Sequence, residues 1–82
     1  MKIKDRSLLI KQLANIGYIP YNNNPYRLQV QKQRVIGEIQ FSPNTYLKVK
    51  GYPAKGGVVS NSFANYALFY RGLITFDLMY ND

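Results

Sequence analysis

Apolar residues recur every three to four positions near the start of the chain and every second position after that. This change of period is the first structural signal. Over Asp5–Gly17, Leu9, Leu13 and Ile16 fall at i, i+4 and i+7 with Leu8 beside them, the spacing of one helical face. Asp5 is an N-cap residue type, and Gly17 is free to take the positive φ that stops a helix. Tyr18–Pro25 contains Pro20 and Pro25, which cannot donate to a ladder, and Asn22, Asn23 and Asn24, which favour turns. It reads as a loop, with at most a short strand at Tyr18-Ile19.

From Tyr26 the alternation is strict. Tyr26, Leu28 and Val30 alternate with Arg27, Gln29 and Gln31; beyond a turn near Lys32-Gln33, Val35, Gly37, Ile39 and Phe41 alternate with Arg34, Ile36, Glu38 and Gln40. These two runs form an antiparallel hairpin. Ser42–Thr45 is a second turn, Tyr46–Lys50 a third strand with Leu47 and Val49 inward, and Pro53–Gly57 a break. The stretch from Val58 to Tyr80 fits two patterns. Phe63, Tyr66, Ala67 and Tyr70 suit a helix capped by Asn61 or Ser62 and stopped by Gly72; Tyr66–Tyr80 also suits a hairpin turning at Arg71-Gly72. The strand-like run Leu73–Tyr80 favours the hairpin. The expected class is α+β: one N-terminal helix packed on a small antiparallel sheet of three to five strands, with residues 1–82 forming a single domain.

Composition narrows the chemistry. The chain has no Cys and no His, and its four carboxylates are scattered at Asp5, Glu38, Asp77 and Asp82. Disulfide frameworks, metal sites and His-dependent nucleophilic catalysis have no raw material, so no cofactor is expected and the chain is read as a binding protein rather than an enzyme. Lys55-Gly56-Gly57 lacks the spacing of a phosphate-cradling loop. No apolar run approaches the length of a membrane span, and the start of the chain does not read as a signal peptide, which makes the cytoplasm the expected location with no membrane partner. A domain of this size buries only about 60–65% of the surface its unfolded chain exposes, so homo-oligomerisation would add stability.

Charge is unevenly placed. Residues 1–55 hold ten basic side chains against Asp5 and Glu38, a balance of +8, whereas residues 56–82 hold Arg71 against Asp77 and Asp82, a balance of −1. If Leu28, Val30, Val35, Ile39, Phe41, Leu47 and Val49 face the core, alternation puts Arg27, Gln29, Gln31, Arg34, Gln40, Tyr46, Lys48, Lys50 and Tyr52 on the opposite side. Arg and Lys suit a phosphate backbone, Gln base edges or sugars, and Tyr a stacking plane. Lys2, Lys4, Arg6 and Lys11 extend the positive field to the helix start, where the dipole gives them no stabilising role.

The first expectation is therefore binding of RNA or DNA, or of a nucleic-acid complex, through Arg27, Gln29, Gln31, Arg34, Tyr46, Lys48, Lys50 and Tyr52. A second rests on small size, an Asn-, Lys-, Ile- and Tyr-rich composition typical of AT-rich genomes, and an aromatic C-terminal third. It is a phage- or mobile-element-encoded inhibitor of a host enzyme, host protein, ribonucleoprotein or defence complex, an anti-CRISPR-like role. A weaker third is a metal-independent ribonuclease with Glu38 as base and Arg34 or Arg27 stabilising the phosphorane. Against it stands the simpler expectation that Glu38 pairs with a basic neighbour across the hairpin.

Overall fold

The computed structural model describes residues 6–81. Helix α1 (Arg6–Asn15) ends on a Schellman motif: the Tyr18 N–H donates to Leu13 C=O and the Gly17 N–H to Ala14 C=O, with Gly17 at φ 91°. Leu9 and Leu13 are buried, while Leu8 faces solvent. The expected cap Asp5, with Lys2 and Lys4, lies outside the described residues. Arg6 corrects the expectation that stability does not explain the early cations. Its guanidinium donates to the Asn23 side chain and the Asn24 carbonyl, and it stacks 4.1 Å from the centre of the Phe41 ring.

Five strands follow as an antiparallel meander paired in chain order: β1 (Ile19–Asn24), β2 (Arg27–Lys32), β3 (Val35–Gln40), β4 (Tyr46–Gly51) and β5 (Val59–Phe63). The segment expected to be a loop is thus strand β1. Pro20 is tolerated because β1 is an edge strand, and the register shifts between Pro20 and Asn22, so that Tyr21 sits on a bulge. The asparagines do supply the turn. Asn24 Oδ1 accepts from the backbone N–H of Tyr26 and of Arg27, closing the β1–β2 connection.

The hairpin expected over Tyr66–Tyr80 is overturned: these residues form helix α2 (Tyr66–Tyr80), preceded by β5. Its cap is Asn65, not Asn61 or Ser62; Asn65 Oδ1 accepts from the Leu68 N–H. Gly72 does not stop the helix because it is buried against β5. A Cβ there would run into the Phe63 ring, so the missing side chain sets how closely helix and strand approach.

Both helices contribute to one core. Leu9 and Leu13 from α1, Phe69, Leu73 and Phe76 from α2, and Leu28, Val30, Val35, Ile39, Leu47 and Val49 from the sheet form a single buried cluster with Tyr18. Phe41 is only half-buried at its margin. Tyr18 is fully buried, and its hydroxyl donates to the Leu73 carbonyl at 2.7 Å, tying the end of α1 to the middle of α2. Burial first, then the Asp77 charge, push the Tyr18 phenol well above its ordinary value. Among the described residues no helix is long and apolar enough to cross a membrane.

Candidate functional site

Because Leu28, Val30, Val35, Ile39, Leu47 and Val49 turn toward the helices, the alternate positions of β2, β3 and β4 share the other face. Cross-strand register sets them in rows: Arg27, Gln40 and Tyr46; then Gln29, Glu38, Lys48 and Ser62; then Gln31, Ile36, Lys50 and Ser60. Six of the expected residues, Arg27, Gln29, Gln31, Tyr46, Lys48 and Lys50, therefore lie on one surface. Arg34 and Tyr52 stand just beyond the strand ends, joined by the Tyr52 N–H donating to the Arg34 carbonyl. Arg34 is further held by its own N–H, which donates to Asn81 Oδ1, so it borders the face rather than occupying its centre.

The centre is Glu38. Its side chain is only 6% exposed, beneath Arg27 at 44% and Lys50 at 36%. Tyr46 Oη donates to Glu38 Oε2 at 2.6 Å; Arg27 Nη1 stands 3.6 Å from the same oxygen and Lys50 Nζ 3.8 Å from Oε1. The simpler expectation for Glu38, pairing with basic neighbours, describes this geometry. All three partners are diagonal rather than directly opposite, since register puts Gln29 and Lys48 beside Glu38. Lys48 instead lies over the Tyr46 ring, its Nζ 5.1 Å from the centroid.

Two tyrosines sense this carboxylate. The hydrogen bond to Glu38, then burial and the Glu38 charge, raise the Tyr46 phenol above its ordinary value, with Arg27 opposing. Tyr21, from the segment expected to be a loop, feels Glu38, Tyr52 and Arg27; burial first and Glu38 second raise its phenol. The bulge that brings Tyr21 here leaves no signal in local composition, so Tyr21 is a member of the site that only the fold reveals. Glu38 was legible on this face, sharing the parity of Arg34 and Gln40, but its central place depends on pairing with both neighbouring strands.

The glutamines are partly committed within the chain. Gln29 Oε1 accepts from Asn22, Gln31 Nε2 donates to the Gln33 carbonyl, and Gln40 Nε2 donates to the Asn44 carbonyl. Charge and ring faces are thus the more available chemistry. Arg27, Lys48 and Lys50 against Glu38 leave +2 on the open face of the three central strands, with the carboxylate beneath and the cations nearer solvent.

A second exposed surface is aliphatic. Tyr66, Tyr70 and Tyr80 of α2 are partly buried against the core, and the Tyr66 hydroxyl donates to Gln12 on α1, whereas Leu68, Ile74, Leu78 and Met79 are exposed. No protein-family model matches this chain, and comparison with curated protein sequences and with solved structures finds no match.

Proposed function

We propose that this chain binds single-stranded nucleic acid, RNA or DNA, through the open face of its sheet. The observation that carries the reading is the arrangement of Arg27 and Lys50 above the buried Glu38 carboxylate, with Tyr46 locking that carboxylate from the side. Phosphates meet Arg27, Lys48 and Lys50; bases stack on the exposed rings of Tyr21 and Tyr52 at the margin. Glu38 acts as an anchor that spaces the cations, with both oxygens already engaged, and not as a base toward a ribose hydroxyl. In this reading the chain acts in the cytoplasm and needs no cofactor.

The test is fluorescence anisotropy of labelled single-stranded and duplex RNA and DNA across a salt series. Three cation–phosphate contacts give a slope of log K against log salt of about −2 for a single strand. Micromolar or tighter binding at low salt with that slope, reduced by Arg27→Ala and Lys50→Ala, supports the reading. Absence of binding at low salt rules it out.

The aliphatic surface of α2 favours a second reading, a host-protein partner such as the target of a phage-encoded inhibitor, because Leu68, Ile74, Leu78 and Met79 expose apolar surface without core function. Recovery of a nuclease-resistant protein partner by the wild type, abolished by Leu78→Asp, would select it over nucleic-acid binding.

A further inference from the structure

We infer that the free edge of β5 pairs with the β5 of a second copy, making a two-fold dimer with one continuous sheet. Strand β5 is the last in the sheet order, and among the described residues no element lies beyond it. Alternate residues of such a strand direct N–H and C=O to the open side, a template for another strand. Sheet edges are ordinarily guarded by charge, proline or a bulge. Val59-Ser60-Asn61-Ser62-Phe63 carries none of these, and its register against β4 is unbroken.

The occupant follows from the strand's own symmetry. Antiparallel self-pairing centred on Asn61 sets Asn61 opposite Asn61 once, and Ser60 opposite Ser62 and Val59 opposite Phe63 each twice by symmetry. Each pair matches in character: the amides can hydrogen-bond each other, the serines lie on the open face, and the apolar residues meet on the helix side. Gly72 faces Phe63, and Leu68 and Met79, four before and seven after it, continue the same stripe of α2 and remain exposed. They form an apolar shelf along this edge, joined by exposed Val58 and by Val59.

Charge points the same way. Two copies of a chain with net charge +7 repel each other most where its cations cluster, and residues 56–82, which carry β5 and α2, sum to −1. The edge that lacks protection is also the one that a like-charged copy can approach.

A two-fold axis normal to the sheet keeps both pairs of helices on one side and both open faces on the other. Five strand spacings separate the two copies of β3, so the two Glu38-centred clusters stand roughly 24 Å apart.

The experiment is sedimentation equilibrium over a range from low micromolar to millimolar chain, with three variants. The wild type is expected to shift toward twice the 9.5 kDa chain mass as concentration rises. Asn61→Lys places two ammonium groups opposite each other and should weaken dimerisation at least tenfold while circular dichroism stays unchanged. Asn61→Cys should form an intermolecular disulfide under mild oxidation much faster than the exposed control Ser7→Cys, because directly opposed Cα atoms fall within disulfide reach. A monomer across the whole range, a dimer indifferent to Asn61→Lys, or cross-linking no faster than the Ser7→Cys control each overturns the proposal.

Discussion

The Tyr46 hydroxyl donates a 2.6 Å hydrogen bond to the Glu38 carboxylate, joining residues of adjacent strands that are diagonal in register. That bond holds an anion at the middle of a cationic sheet face. A carboxylate buried among cations competes with any incoming phosphate for the same partners, so its removal has a direction that distinguishes an anchor from a catalytic base.

Glu38→Gln should therefore strengthen binding to single-stranded nucleic acid severalfold and steepen the salt slope by about 0.7, the worth of one more phosphate contact. Anisotropy titration of wild type and variant at several salt concentrations measures both. Weaker binding by the variant, or cleavage of RNA by the wild type that the variant lacks, contradicts the anchor role.

Tyr46→Phe removes the donor and leaves Glu38 Oε2, in a side chain only 6% exposed, without its shortest partner. Arg27 stays beside that oxygen, so urea unfolding should show a loss of about 1.5–3 kcal/mol, the worth of one hydrogen bond to a charged group. Tyr26→Phe, at an exposed ring, should leave stability within about 0.5 kcal/mol of wild type.

Tyr18→Phe breaks the hydroxyl contact to Leu73 and should cost about 1 kcal/mol. The pH dependence has a definite sign. The folded-state value is raised, so the stability that protonated Tyr18 contributes is fully present below the ordinary value of 10.0 and is lost as pH climbs toward the folded one. Denaturant melts from pH 8 to 11 should therefore fall more steeply for wild type than for Tyr18→Phe.

Asp77 works at the acid end. The Lys32 ammonium at 2.7 Å and the Asn81 amide hold its carboxyl below the ordinary value of 3.8. Its contribution is complete above that value and disappears as pH falls through the lowered one. Asp77→Asn should be less stable than wild type at pH 7, and the gap should narrow between about pH 4 and pH 2 in thermal melts.

Gly72→Ala tests the close approach of α2 to β5. Alanine is intrinsically better in a helix by about 1 kcal/mol, yet its methyl would meet the Phe63 ring, and overpacking costs about 1–3 kcal/mol. Net destabilisation by urea unfolding is expected, and pairing with Phe63→Leu should recover much of it.

Local rules made much of the fold legible. The helical spacing of Leu9 and Leu13, the positive φ at Gly17, and the alternation through β2, β3 and β4 are decided within a few residues, and the structure follows them. Where local signals conflict, they mislead. Pro20 argued against a strand, but an edge strand has a side where the missing N–H costs nothing. Leu73–Tyr80 has strand-like composition, but a helix apolar on nearly all sides looks the same in sequence, and the Asn65 cap and the burial of Gly72 resolve it.

The sequence by itself determined the α+β class, the basic first two-thirds and the set of side chains that alternation directs away from the core. The tertiary structure alone decided that Glu38 lies at the centre of that set, that Tyr21 joins it, and that β5 ends the sheet unguarded. The reason is physical: period and propensity are properties of neighbours along the chain, whereas a buried carboxylate's partners, a bulge's direction and a sheet's free edge depend on which strands lie side by side.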